Sequence, residues 1–227
     1  MRHLILALPL LLAAAEPPFS FSYTVPPAAR AIPALRAQLD REAARERSEI
    51  VAEVGKAQAE AAKDGYPFRP YDRSRAWSVV ADTPRHLSLK LDGYDYTGGA
   101  HGTPFTRSLV WDRQRGAQRE VASYFTSVPA LQRALEPALC RAVNAERAKR
   151  GAEVTDGGIW ARCPRLADAT LLLGSASRSR FDRIGIVFDP YAIGSYAEGV
   201  YEVTLPVTKA VLAAVRPADR AAFALGR

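Results

Sequence analysis

One histidine stands out in this sequence because it lies in a glycine-rich segment between two predicted strands. His101 belongs to the segment 98–102, Gly-Gly-Ala-His-Gly, and two carboxylates, Asp92 and Asp95, precede it closely. An imidazole titrates near neutral pH, so His101 with Asp92 or Asp95 would suit general acid–base chemistry in a hydrolase. The alternative role is structural, because the imidazole can bond the neighbouring backbone and fix the turn. We favour the structural role and therefore predict no catalytic residue. His101, Asp92 and Asp95 are the candidates for the catalytic alternative.

Four tyrosines form the second candidate set because each lies in or beside a predicted loop that contains glycine or proline. They are Tyr94, Tyr96, Tyr191 and Tyr196. A tyrosine offers a flat apolar face with a polar tip, which is why it often anchors protein or sugar ligands. Together with His101 they are the predicted ligand-binding residues. The competing interpretation is that Tyr191 and Tyr196 attach the segment between two strands to the core.

The chain has two cysteines, Cys140 and Cys163. An even count in an exported protein predicts a disulfide, and this one would enclose 22 intervening residues. Two inert thiols or half of a metal site are the alternatives. A metal site is disfavoured because no Cys-x-x-Cys spacing occurs and only His86 and His101 would remain after removal of the N-terminus. We expect neither a metal nor a cofactor.

Residues 1–15 have the layout of a secretory signal peptide. A basic start is followed by the apolar run 4–13 and by three alanines at 13–15, just before Glu16. This run is far shorter than the roughly 20 residues needed to span a bilayer, and no later segment is longer. We therefore expect a protein of the periplasm or the extracellular medium, without a membrane span.

Composition narrows the class of protein further. The chain has 227 residues, 48% of them hydrophobic and 24% charged, which is typical of a globular protein. Its formal net charge is +7, but basic and acidic residues are interleaved, as in Asp40-Arg41-Glu42. Without a block of basic residues, and in an exported protein, nucleic-acid binding is not expected.

Periodicity predicts an α+β fold in the first half, 16–112. Alternating aromatic and polar residues predict a strand at 19–25, and apolar residues at helical spacing predict a long helix over 32–61 with a stop at Gly65. The ranges 77–81, 86–96 and 105–111 are predicted strands, the last two joined by the glycine-rich segment as a hairpin.

The second half, 113–227, repeats this mixture. Ser127 and Pro129 predict the start of a second helix that ends near Gly151. Strands are predicted at 170–173, 181–188 and 200–205, and a closing helix at 207–215. The expected fold is therefore α+β, with antiparallel sheets on which the long N-terminal helix and the mid-chain helix pack. We expect the two halves to form one compact unit.

Two motifs carry a family resemblance. The segment 96–102, Tyr-Thr-Gly-Gly-Ala-His-Gly, and the segment 189–199, Asp-Pro-Tyr-Ala-Ile-Gly-Ser-Tyr-Ala-Glu-Gly, rarely coincide by chance. The chain resembles the paired extracytoplasmic domains of unknown function found in RsiV-type anti-sigma factors and in PdaC-type deacetylases, the second half being RsiV-like. The resemblance implies a compact α+β fold and a binding role outside the cytoplasm. In RsiV-like proteins the corresponding region binds lysozyme. We expect none of the anti-sigma, transmembrane or deacetylase parts.

The sequence thus predicts an exported bacterial envelope protein that acts as a non-catalytic binding or structural module. Its expected partner is an unidentified envelope ligand, a peptidoglycan fragment or a protein such as lysozyme. The alternatives are a cell-wall hydrolase that uses His101 with Asp92 or Asp95, and a lysozyme-binding inhibitor.

Overall fold

The computed structural model describes residues 17–152, 160 and 162–226. The predicted signal peptide at 1–15 lies outside these residues. Within the described part the chain forms two sheets with helices packed on them, which confirms the predicted α+β fold. No helix in these ranges is both long and apolar enough to cross a membrane.

The first sheet contains five strands in the order β1-β2-β3-β4-β5. Neighbouring strands are antiparallel, except that β1 runs parallel to β2 because a long helix carries the chain back between them. The strands are β1 Phe19–Thr24, β2 Tyr71–Asp82, β3 His86–Tyr96, β4 Thr103–Asp112 and β5 Ala117–Arg119.

The helices of this half are α1 Pro27–Arg30 and α2 Pro33–Asp64. The long helix ends where the sequence predicts, since Gly65 has a left-handed φ of 75° and its N–H bonds the Ala61 carbonyl. Leu35 and Leu39 are fully buried in one cluster with residues of the sheet. The apolar stripe of α2 therefore covers the sheet and does not form a coiled coil.

Strand β2 begins earlier than predicted, at Tyr71 and not at residue 77. Its first half contains Arg73 and Arg75, whose charges hide the strand pattern in the sequence. Both arginines are nevertheless buried under α2. Arg75 pairs with Glu46 of the helix, and both arginines pair with Asp95 of β3.

The second half contains the three-stranded antiparallel sheet β6-β7-β8 and two helices. Ser127 caps the mid-chain helix by accepting a 3.1 Å bond from the Ala130 amide, as its position predicts. The apolar face of that helix packs on Ile184 and Ile186 of the central strand in one large core. The elements are α3 Val128–Lys149, β6 Thr170–Gly174, β7 Arg183–Phe188, β8 Tyr201–Pro206 and α4 Lys209–Ala214.

Cys140 of α3 forms a disulfide with Cys163, with an S–S distance of 1.93 Å and a Cα–Cα distance of 5.2 Å. The predicted pairing is confirmed. It ties Cys163 to α3, seven residues before the start of β6.

Side chains also join the two sheets. Thr170 of β6 donates a 2.9 Å hydrogen bond to the Thr106 carbonyl of β4, and Lys90 of β3 forms a 2.9 Å ion pair with Glu202 of β8. The loop after β3 and the segment after β7 meet at one end of this contact.

Candidate ligand-binding site

The candidate site is a cluster of three aromatic side chains, His101, Tyr191 and Tyr196, which we call the aromatic cluster. His101 comes from the loop between β3 and β4, and both tyrosines come from the segment between β7 and β8. The imidazole stacks on the Tyr196 ring with centroids 3.9 Å apart and planes 24° apart. The Tyr196 hydroxyl donates a 2.9 Å hydrogen bond to the Gly102 carbonyl, which fixes the loop to the second half.

Tyr191 is the exposed member of the cluster. The residue is 59% exposed, which is unusual for one with a large ring. Its backbone φ is 72°. A left-handed conformation is unfavourable for a residue with a Cβ, and such strain is concentrated at functional positions. The ring lies 5.7 Å from Tyr196 and 6.4 Å from His101 by centroids. Tyr191 thus presents a flat ring to solvent at a fixed place.

The hydrogen bonds of His101 define which ring nitrogen carries the proton. Nδ1 lies 2.9 Å from the Gly102 carbonyl oxygen, which can only accept, so Nδ1 is the donor. In the neutral ring Nε2 is then an acceptor, and it faces the Tyr191 hydroxyl at 3.4 Å. This contact is long, so a hydroxyl or amide of a ligand can replace it at either partner.

Two glycines of the loop are required by the local geometry. Gly98 has a left-handed φ of 83°. At Gly102 a Cβ would lie 2.1 Å from the Tyr94 ring, so the Tyr94 side chain occupies the place of a side chain at 102. Tyr94 is partly buried and supports the loop from beneath. Tyr96 lies at the end of β3 opposite Asp72 and forms no ring pair with the cluster among the described residues.

The structure does not bring the predicted carboxylates to His101. Asp95 accepts bonds from Arg73 at 2.7 Å and Arg75 at 3.0 Å, on the face of the sheet that α2 covers. Successive residues of a strand point to opposite faces, so Asp95 faces away from Tyr94. Asp92 pairs with Lys90 at 3.2 Å. Neither aspartate bonds His101 among the described residues, so no hydrogen bond there supports the alternative of an acid–base pair.

A carboxylate that the sequence analysis did not single out positions the tyrosine segment. Glu198 accepts a 2.7 Å bond from the Ser195 amide and a short bond from the Tyr201 hydroxyl. The bond from Tyr201 has the largest effect on the pKa of Glu198, and together with the bond from Ser195 it holds this pKa below its ordinary value. The Ser-x-x-Glu spacing of a capping box at 195–198 was the available signal.

Metal binding finds no support in this part of the chain. No group of three or more histidine, cysteine, aspartate or glutamate side chains in the described ranges could hold an ion. What the site offers is an exposed aromatic face with hydroxyl and imidazole groups at its edge.

The fold and the site together define an α+β module whose two sheets are joined at a glycine-rich loop and an Asp-Pro-Tyr segment. A family model described as Deacetylase PdaC matches residues 14–103, which include β1, α1, α2, β2 and β3 and reach the start of β4. No curated protein matches the chain.

Two solved structures resemble the chain. A DUF3298 family protein from Pseudomonas aeruginosa PAO1 is 19% identical, with 70% of this chain and 66% of that one covered at a TM-score of 0.49. A DUF3298 family member from Bacteroides fragilis is 22% identical, with 75% and 66% covered at a TM-score of 0.50. The chain therefore spans just under two thirds of each relative, and the likeness to the second structure concerns the fold alone. With the PdaC match, it confirms the predicted resemblance to paired domains of unknown function.

Proposed function

We propose that this chain is a non-catalytic binding module that acts outside the cytoplasm, in the periplasm or after secretion, and that the aromatic cluster is its ligand contact. The observation that carries the proposal is the exposed Tyr191 ring, held in a strained conformation beside His101 and Tyr196. The exposed ring adds little buried apolar area and its left-handed φ is unfavourable, so we attribute the position of this ring to recognition.

The ligand class we propose is a peptidoglycan fragment. The apolar face of a sugar ring suits the exposed face of Tyr191, as in other aromatic binding sites. The Tyr191 hydroxyl and Nε2 of His101 can bond sugar hydroxyls at the edge of the ring. The predicted signal peptide at 1–15 and the disulfide both support the proposed compartment outside the cytoplasm.

A binding role is favoured over hydrolysis because, among the described residues, no carboxylate hydrogen-bonds the His101 imidazole. Its hydrogen-bond partners are the Gly102 carbonyl and the Tyr191 hydroxyl, and its ring stacks on Tyr196. Asp92 and Asp95 are held by other cations, and Asp95 contributes to the attachment of α2. We also propose that the two halves act as one unit, because each contributes part of the cluster.

The test is co-sedimentation of the purified protein with isolated peptidoglycan sacculi. Tyr191→Ala should lower the bound fraction by about tenfold, the typical effect of truncating an aromatic anchor. Tyr66→Ala is the matched control, because Tyr66 is 50% exposed, follows the C-terminal end of α2 and forms no ring pair or hydrogen bond with the aromatic cluster among the described residues. It should bind like the wild type.

Three outcomes would overturn the proposal. Equal sedimentation of wild type and Tyr191→Ala would remove the cluster from the contact. The wild type could instead be retained on immobilised lysozyme and not bind sacculi, with Tyr191→Ala losing the retention. That result would identify a protein partner in place of the glycan. Release of soluble fragments from sacculi, abolished by His101→Ala, would replace binding with hydrolysis.

A further inference from the structure

A second feature concerns the outer edge of β4, which is only partly covered. The short strand β5 pairs with residues 110–112 and no further. At Thr106 side chains replace a neighbouring strand, because the amide donates to Asp189 at 3.1 Å and the carbonyl accepts from Thr170 at 2.9 Å. The main-chain groups of Thr106 therefore point away from β3.

Ser108 lies between Thr106, whose main-chain groups bond side chains, and Val110, which pairs with β5. Residues two apart in a strand direct their main-chain groups to the same side, so the N–H and C=O of Ser108 also point away from β3. Neither group has a hydrogen-bond partner among the described residues. The edge of β4 thus has one open position for a donor–acceptor pair, between Thr106 and Val110.

A groove of about 560 Å³ runs along this open position, between β4 and β6. Its volume is within the usual range for small-ligand sites. The apolar part of its wall is formed by buried side chains of Val121, Leu166 and Leu171, and its polar rim includes Arg107, Gln118 and Glu120.

We propose that this groove binds one residue of an extended peptide, which adds to the edge of β4 by pairing with Ser108. The N–H and C=O of a single extended residue point to the same side and fit the two groups of Ser108. The N–H and C=O of a single trans amide point in opposite directions. The N-acetyl group of a sugar therefore cannot bond both main-chain groups of Ser108. This mode is β-strand addition.

The side chains around the groove define the peptide further. A directly paired residue shares a face with Ser108, so its side chain points to the apolar wall and should be aliphatic. Arg107 is paired with Glu42, whereas Glu120 is exposed and forms no ion pair in the described part. The uncompensated charge is negative, which favours a peptide with lysine beside the aliphatic residue.

The experiment is amide NMR of the whole protein, titrated with acetyl-Lys-Val-Lys-amide at millimolar concentration. The control probe is the same peptide with an N-methyl group on valine, which removes the donor to the Ser108 carbonyl. We expect the first peptide to shift the Ser108 amide resonance and to slow its hydrogen exchange about tenfold, and the methylated peptide to do neither. Equal effects of both peptides, or an unchanged Ser108 amide, would overturn the proposal.

The protein also supplies internal controls. In the free protein the Ser108 amide should exchange faster than that of Leu109, which is paired with Leu89 inside the sheet. Ser108→Pro removes the amide donor at a sheet edge, where proline is tolerated, and should abolish the response of the neighbouring groove resonances. Tyr191→Ala should leave the peptide response intact, so failure of the proposed function and failure of this groove are distinguishable.

Discussion

The imidazole of His101 lies stacked on the ring of Tyr196, 95 residues further along the chain, at a centroid distance of 3.9 Å. The Tyr196 hydroxyl bonds the Gly102 carbonyl, which also accepts from His101 Nδ1. One carbonyl oxygen therefore holds both rings in place. This relationship joins the glycine-rich loop to the tyrosine segment and leaves the Tyr191 ring exposed beside them.

The Tyr196 hydroxyl should contribute measurably to stability. Tyr196→Phe keeps the stacked ring but removes the bond to Gly102, so the free energy of unfolding should fall by about 1 kcal/mol. Urea unfolding measures this. Tyr96→Phe is the control, because the Tyr96 hydroxyl has no hydrogen-bond partner among the described residues, and an equal loss there would contradict the assignment.

Tyr191 should show a trade-off between stability and binding. Tyr191→Gly relieves the left-handed strain and should raise the free energy of unfolding by up to about 1 kcal/mol while binding is lost. Tyr191→Ala also removes the ring but keeps a Cβ at the strained position. It should lose binding without the gain in stability. Thermal unfolding of the two variants measures whether only Tyr191→Gly is stabilised.

The ion pair between Arg75 and Glu46 should be far more sensitive than a surface pair. Their side chains are 5% and 9% exposed, so Glu46→Gln leaves a buried cation whose one remaining ion-pair partner among the described residues is Asp95. We expect a loss of about 3 kcal/mol. Glu49→Gln, which breaks the exposed pair with Arg45, is the control and should cost less than about 0.5 kcal/mol in the same unfolding assay.

Stability should decrease as the pH falls below neutrality, because of His86. Burial, partly opposed by Asp112, lowers the pKa of His86 to about 4, whereas an unfolded histidine titrates near its ordinary value of 6.5. Between these values the unfolded state binds the proton first, so the free energy of unfolding falls by about 1.4 kcal/mol per pH unit. Above 6.5 the contribution is complete.

Urea unfolding at neutral pH and at about pH 5 measures this slope. Asp112 and Asp219 also act on His86, and the pKa of each is lowered, while the pKa of Arg119 is raised, so these three groups keep their charges over this window. His86→Phe should fit the aromatic contacts with Tyr124 and Phe181 and should flatten it. An unchanged slope in this variant would assign the pH dependence to another group.

Reduction of the disulfide should destabilise the protein by about 3 kcal/mol, as expected for a loop of this size. The pair Cys140–Cys163 has a sequence separation of 23 residues. Unfolding with and without reductant measures the difference. The double variant Cys140→Ala, Cys163→Ala should not respond to reductant, and thiol labelling of the unfolded wild type should detect no reactive cysteine.

Elements with local signals were predictable from the sequence. Gly65 ends α2, Ser127 caps α3, and β3 has the predicted bounds 86–96, because each depends on residues close in the chain. The first half of β2 was not predictable, since Arg73 reads as an exposed residue until the carboxylates of Glu53 and Asp95 are placed beside it. Burial of a charge depends on partners that only folding supplies.

For the site, the sequence by itself determined the residue types: a histidine among glycines and tyrosines beside turn residues. His101 lies close to Asp95 in the chain, which suggested an acid–base pair. Strand β3 prevents this pair, because alternate residues of the strand face opposite sides. Only the tertiary structure decided that His101 stacks on Tyr196 and that Ser108 keeps an open position on the edge of β4. Local sequence patterns determine where helices and strands begin and end. Contacts between distant segments depend on how the two sheets pack.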